Sequence, residues 1–346
     1  MTAYFPDYKD IEKAEKVVRE IIPGTPCWHS SQLSDRYHCT VYTKREDRQK
    51  VRSFKIRGAY NKISSLSDDE ARRGVVCASA GNHAQGVAYS CARFGIKGHV
   101  FMPVSTPGQK VSSVKYYGGE NIEVTLAGKT FDECEYAAVD FAVRNGMTFI
   151  HPFNDPKVIE GQGSVAVEMM ETMKEENVTF DYVFVPIGGG GLASGVGAYV
   201  KAVSPSTKII GVEPSGAASM QAAMKAGHPV RLKEMDTFVD GAAVREVGEL
   251  TYGICSKVLD GIVIVPEGAV CSTILKAYNH KGLVLEPAGA LSMTALRFFQ
   301  KSIAGHNVCC ILSGSNNDSI RMEEIQRRSD EFEKFSRFFS SDSPVF

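Results

Sequence analysis

The chain carries nine cysteines but no Cys-x-x-Cys, and its eight histidines include no His-x-x-x-His. Those spacings most often gather structural zinc, so neither a zinc-organised fold nor any other metal site is expected. Charge of one sign is also missing. Against 40 acidic residues stand 39 Lys and Arg, scattered and not grouped in tracts. No bulk field draws nucleic acid, and a small-molecule partner is expected instead. No apolar run approaches the roughly 18 residues that cross a bilayer, so no membrane association is expected. The first ten residues lack the basic-then-apolar layout of a secretory signal. Without such a signal the cysteines are expected as reduced thiols, several of them small core residues, in the cytoplasm.

What is present fits a soluble enzyme. The 346 residues are 43% hydrophobic and 23% charged, and at roughly 150 residues per domain they suggest about two domains. Residues 10–22 predict an amphipathic helix with Ile11, Ala14, Val17, Val18, Ile21 and Ile22 on one stripe, ended by Pro23. A short strand is predicted over 39–43, before a charged turn at 44–47. Further strands are predicted over 74–77, 99–102, 122–126, 182–186, 209–212, 262–265 and 308–312. Helical patterns alternate with them, which predicts an α/β fold with largely parallel sheets and ligands at the carboxyl ends of the strands. After residue 322 comes a charged stretch with Phe332, Phe335, Phe338 and Phe339 interspersed. It predicts a helix packing back on the body, then a loose end over 340–346, and no regulatory domain.

Three segments carry chemistry. Ser53-Phe54-Lys55-Ile56-Arg57-Gly58-Ala59 reads either as a surface lysine with a buried stem or as a lysine desolvated so that its amine attacks an aldehyde. Ser79-Ala80-Gly81-Asn82-His83 follows a predicted strand. It is either a turn with Ser79 as cap and His83 solvated, or a helix start whose N–H groups bind a carboxylate beside the Asn82 amide. Gly188-Gly189-Gly190-Gly191-Leu192 also follows a strand. Four glycines fold readily into a nest of N–H donors, so phosphate binding is favoured over a plain turn. The run lacks the Gly-Lys-Ser/Thr ending of a nucleoside-triphosphate loop. An amine that traps carbonyls, an amide for a ring oxygen and a phosphate cradle suit pyridoxal phosphate better than a nucleotide.

With Glu286-Pro287-Ala288-Gly289-Ala290 and Leu312-Ser313-Gly314-Ser315-Asn316, these strings resemble the threonine dehydratase and serine racemase group of fold-type II pyridoxal-phosphate enzymes. The resemblance covers about residues 21–327 and is nearest to threonine dehydratase catalytic parts. It implies a tryptophan synthase β-like fold of two open, twisted α/β domains with the active site between them. A large domain would span 1–73 and 152–322, a small one 74–151, and 323–346 would form a terminal helix and tail. Homodimers or homotetramers are usual in the group.

The resemblance also implies roles. Lys55 would hold the cofactor as a Schiff base with Phe54 against the ring, and Asn82 would bond the ring oxygen. Gly188, Gly189, Gly190, Gly191 and Leu192 would hold the phosphate, and Ser313 would face the pyridine nitrogen. Ser79, Ala80, Gly81, Asn82 and His83 would surround the substrate, while Asp240, Gly241 and Glu286 would line the cofactor's other side. The implied reaction is dehydration of L-threonine followed by hydrolysis to 2-oxobutanoate and ammonia, and likewise of L-serine to pyruvate, with serine racemisation or 3-hydroxyaspartate dehydration as alternatives. Racemases of the group carry a serine hydroxyl where this chain has Ala80. They also hold a divalent ion with a glutamate and an aspartate six residues later; here that pair is Glu213 and Ser219.

Overall fold

The computed structural model describes residues 4–339; the expected loose end at 340–346 lies outside the described residues. Among the described residues, ten strands form two sheets. The larger contains β1 (Cys27–His29), β2 (Thr40–Lys44), β7 (Tyr182–Pro186), β8 (Lys208–Pro214), β9 (Gly261–Val265) and β10 (Asn307–Ile311), in the order β1-β2-β10-β7-β8-β9. Only β1 runs antiparallel to its neighbour. The smaller sheet is wholly parallel, in the order β5-β4-β3-β6, from β3 (Val75–Ala78), β4 (Gly98–Met102), β5 (Ile122–Leu126) and β6 (Thr148–Phe149).

Helices cover both faces of each sheet, which is why the central strands are apolar throughout and do not alternate with polar residues. In the smaller sheet Val75 and Cys77 face α5 (Asn82–Phe94) and α6 (Gly108–Gly118), while Val76 and Ala78 face α7 (Phe131–Asn145). In the larger sheet Phe184, Ile210 and Val308 face α2 (Ser31–Tyr37), α12 (Glu267–Lys281) and α13 (Pro287–Ile303). Val183, Val185 and Ile209 point the other way, toward α1 (Tyr8–Arg19), α8 (Pro156–Glu175), α9 (Gly191–Val203), α10 (Ser219–Ala226) and α11 (Glu249–Val258). α4 (Asp68–Arg73) leads into β3, and α14 (Met322–Phe339) packs on α12. Among the Phe residues of α14, Phe332 lies under the Arg297 guanidinium, 4.9 Å from ring centroid to Cζ, whereas Phe335 is 66% exposed. The side chains of Phe338 and Phe339 lie outside those described.

Boundaries differ from expectation for local reasons. α1 starts at Tyr8, capped by Asp7, and stops at Arg19. Ile21 and Ile22 both donate to the Val18 carbonyl, so the last turn loosens ahead of Pro23 although both side chains stay buried. Gly74 caps α4 with a φ of 87° and is not the first residue of β3. All nine cysteines are free and buried.

α3 (Lys55–Ser64) lies between α5 and α8, and glycines set that approach. A Cβ on Gly161 would stand 2.6 Å from the Arg57 carbonyl oxygen, and one on Gly86 would stand 3.1 Å from the Lys55 oxygen. Arg57 is wholly buried. Its Nε donates to Glu46 at 2.8 Å and its Nη1 to Glu168 at 2.7 Å, while the buried Lys44 pairs with the same Glu168. The charged turn at 44–47 is therefore half of an internal ion cluster that anchors the start of α3.

Candidate active site

The functional side chains stand where the strands end. Ser79 follows β3, His151 follows β6, Gly188 follows β7 and Ser313 follows β10. All of them line one cavity of about 1160 Å³, at the carboxyl edge of both sheets, as open parallel sheets dictate. Phe54, Lys55, Ala80, Gly81, Asn82, His83, Gly189, Gly190, Gly191, Leu192, Asp240, Gly241 and Glu286 line it too.

Lys55 is the first residue of α3. The segment before it is tied to the distant serine motif: Phe54 N–H donates to Ser313 O at 3.1 Å, and Ser315 N–H to Arg52 O at 2.8 Å. The Lys55 Nζ donates to Pro152 O at 2.8 Å and lies 5.5 Å from the Phe54 ring centroid. Burial, partly opposed by Glu286, pushes its amine down to about 8. Half-buried, bonded to Pro152 and lining the cavity, Lys55 fits the desolvated-amine reading better than the surface-lysine one.

At the glycine run, Gly190 takes a φ of 88° and α9 begins at Gly191 with no side-chain cap. The first N–H groups of a helix have no intrahelical acceptor, and here Gly190, Gly191 and Leu192 at the helix start line the cavity. A Cβ on Gly189 would stand 2.2 Å from the Phe153 ring, so the loop lies flat on that ring only as glycine. An open nest beside a desolvated amine fits a phosphate-bearing aldehyde such as pyridoxal phosphate.

α5 likewise starts without a side-chain cap, at Gly81. Ser79 does not cap it, since its Oγ accepts the Gly81 N–H at 3.2 Å. His83 is buried and not solvated, with Nε2 donating to Ile150 O at 2.9 Å. The Asn82 amide donates to Glu286 Oε1 at 2.7 Å and its oxygen accepts from Asn316 at 2.7 Å. One amide hydrogen remains for a ligand. Burial, with Asp240 adding, pushes the Glu286 carboxyl up to about 7. Ser313 Oγ donates to Ala288 O at 3.1 Å. Asp240 spans the cavity, meeting Lys110 of α6 at 2.8 Å and Arg321 at 3.3 Å. Burial opposes its ionisation, but those two cations hold it below the usual range.

Sequence reasoning missed His151. Its Nδ1 accepts N–H bonds from Phe153 at 3.2 Å and Asn154 at 2.8 Å, which puts the ring proton on Nε2. Burial and then Lys55 push His151 down to about 4 and His83 down to about 3, so both rings are neutral at pH 7. At the other place considered for an ion, Glu213 accepts N–H bonds from Met220 and Gln221 at the start of α10, at 2.7 and 2.8 Å. Among the described residues no group of three or more His, Cys, Asp or Glu gathers as a metal site.

Comparison with known proteins agrees with this geometry. Residues 18–314 match the family described as "Pyridoxal-phosphate dependent enzyme". A biosynthetic L-threonine dehydratase of Halalkalibacterium halodurans is 51% identical over 331 residues, 96% of this chain and 79% of that protein. One of Bacillus subtilis is 50% identical over 336 residues, 97% and 79%. The processed threonine deaminase isoform 2 of Solanum lycopersicum superposes with a TM-score of 0.85 at 38% identity, covering 95% of this chain and 96% of that one. Maize serine racemase superposes at 0.86 with 31% identity, covering 96% and 100%.

Proposed function

This chain belongs to the pyridoxal-phosphate dependent enzymes, and from that premise we propose that it eliminates the 3-hydroxyl of L-threonine as water. Hydrolysis of the enamine product then takes up water and releases ammonia, giving 2-oxobutanoate, with L-serine giving pyruvate in the same way. The observation that carries the reading is the Lys55 amine, desolvated and set between the open N-termini of α5 and α9. The dehydratase relatives at about half identity support the substrate. When bound, the cofactor supplies an aldehyde for an amine and a conjugated ring that takes up charge from Cα.

Each residue's part follows from its chemistry. Lys55 would hold the cofactor through its amine, and that amine would take the Cα proton as general base. The amides of Gly188, Gly189, Gly190, Gly191 and Leu192 would hold the phosphate, and the spare Asn82 N–H would meet the ring oxygen. Phe54 would lie against the ring, and the Ser313 hydroxyl, whose proton is given to Ala288 O, would present its oxygen to the ring nitrogen. Ser79, Gly81, Asn82 and His83 hold the substrate carboxylate and so orient the Cα–H bond, with the Ala80 methyl beside it. Asp240, Gly241 and Glu286 line the opposite side. The same proposal divides the chain into a large domain (1–73 and 152–322) and a small one (74–151). It also has the chain working as a homodimer or homotetramer in the cytoplasm, as a step toward isoleucine; the name "biosynthetic" carried by its relatives supports that last part. No helix among the described residues is long and apolar enough to cross a membrane.

Purified holoenzyme offered L-threonine, L-serine and 3-hydroxyaspartate is expected to release 2-oxo acid fastest from threonine. No 2-oxo acid from any of the three would overturn the reading.

A further inference from the structure

Residues 227–248 join α10 to α11 without forming helix or strand, and all of them lie within the described residues. Loops of that length inside a compact body are uncommon and tend to be functional. Met235, Thr237, Asp240 and Gly241 of this one line the cavity, while Phe238 between them is buried in the core of the larger sheet. With no strand ladder to fix its main chain, the loop depends on side chains, and those that hold it come from the far end of the sequence.

Two guanidinium groups lie over the Phe238 ring. The Arg328 Cζ is 4.3 Å from the ring centroid and the Arg321 Cζ 4.9 Å. Each arginine also takes an acid two residues from that ring. Arg328 Nη1 donates to Asp236 at 3.0 Å, and Arg321 Nη1 donates to Asp240 at 3.3 Å. Arg321 Nη2 donates to the Phe238 carbonyl, and Asp236 accepts the Phe238 N–H at 2.8 Å. Arg328 belongs to α14, and Arg321 to the short turn Ser319–Arg321 just before it. The seat of α14 is itself fixed. A Cβ on Gly268, in the first turn of α12, would stand 2.5 Å from Phe332 Cβ and 2.8 Å from the Arg328 carbonyl oxygen, so the two helices meet there only as glycine.

The consequence reaches the smaller sheet. The Asp240 carboxylate that Arg321 holds also accepts from Lys110 of α6, at 2.8 Å. A carboxylate on a fixed loop offers Lys110 one position. On a loose loop it offers many, and the bridge then costs ordering entropy to form.

We propose that Arg328 is a positioning residue for the reaction at this site. By stacking on Phe238 and bonding Asp236 it fixes residues 235–241, so that Asp240 stands where Lys110 bridges the two sheets across the substrate. Arg328 itself is no part of the cavity wall. The kinetic consequence rests on the dehydratase reading; the hold on the loop does not.

Hydrogen exchange of the holoenzyme without substrate reads the loop directly. Arg328→Gln should speed exchange at 235–241 roughly threefold to tenfold, since a cation–π contact and a charged hydrogen bond are lost, and leave β7 and β10 unchanged. With threonine, the same variant should raise KM roughly threefold to tenfold and nearly keep kcat, because the bridge aids binding and not chemistry. Phe238→Leu keeps apolar bulk but no aromatic face, and should move both readouts the same way. Arg328→Lys keeps the charge without the planar stack and should fall between. Arg327→Gln, which breaks an exposed pair one residue away, is the control and should move neither. Unmoved loop exchange in Arg328→Gln, or exchange raised equally in β7 and β10, would overturn the hold on the loop. A loosened loop with KM unmoved, or with kcat falling instead, would make α14 a structural prop and overturn the positioning role. If the unmodified enzyme fails on threonine, the dehydratase reading falls, and loop exchange still decides whether Arg328 holds the loop.

Discussion

At the scale of single residues, the site depends on one amine being neutral. Burial disfavours the Lys55 ammonium and brings the group down to about 8, so the uncharged form that attacks an aldehyde grows as pH rises toward and past that value. Covalent capture of cofactor by the apoenzyme, followed by visible absorbance, should rise with a midpoint near 8 and be flat above it. A midpoint near the ordinary lysine value would show the amine to be solvated. Lys55→Ala should abolish turnover and leave nothing for borohydride to fix. On the proposed reading, Ala80 stands at the other face of the reaction. A methyl neither gives nor takes a proton, and a missing general acid typically costs ~10²–10⁴-fold in rate. Ammonia release from L-serine should therefore exceed D-serine formation by orders of magnitude, and Ala80→Ser should narrow the gap. Comparable rates in the unmodified protein would favour the racemase. These residues were legible because each sits in a string whose composition has a chemical reason. Four glycines in a row admit few other uses. His151 was not, since His-Pro-Phe-Asn carries no spacing signature. Its part arises only when the chain turns back and sets two N–H groups on its Nδ1.

At the scale of elements, the position of Lys55 rests on how α3 is seated. Nothing in Arg57 as a letter announces burial, and the sequence placed Lys44 and Glu46 in a charged turn, because ion pairing between residues 111 and 124 positions apart has no local pattern. Removing one partner from such a cluster leaves buried charge without compensation and costs ~3–5 kcal/mol. Arg57→Met should lower stability by about that much in denaturant unfolding, whereas a loss under ~1 kcal/mol, as for exposed pairs, would mean the cluster is solvated. Gly161→Ala tests the same seat from the helix side. Alanine favours a helix by ~1 kcal/mol, but the added methyl would meet the Arg57 carbonyl and Gly58 Cα at 2.6 and 2.7 Å, both main chain that cannot swing aside. Overpacking of this kind costs ~1–3 kcal/mol. The strands show the same division. Central β3, β4, β7 and β10 were visible as apolar runs, whereas β1 and β6, three and two residues long, are too short for any period to register.

At the scale of the whole molecule, the cavity is a gap between two sheets, and charges reach across it. Lys110 of α6 meets Asp240, and Arg231 of the larger body meets Asp132 at the start of α7. Asp132 and Arg231 are about half exposed, so their pair is worth at most ~1 kcal/mol. That is still enough to shift KM by roughly fivefold if substrate binding draws the two bodies together. Asp132 lines the same cavity, and Asp132→Asn removes its pair with Arg231 while leaving Arg231 beside Glu246 at 3.7 Å. The expected result is a KM for threonine raised up to roughly fivefold with kcat little changed, since uniform binding is lost and chemistry is not. Added salt should raise KM of the unmodified enzyme in the same direction and do less to the variant, because screening acts on a pair the variant already lacks. Combining Asp132→Asn with Arg231→Gln should add little to either change alone, as coupled partners do. Full additivity, or a fall in kcat with KM unmoved, would show that the pair takes no part in bringing the sheets together over the substrate.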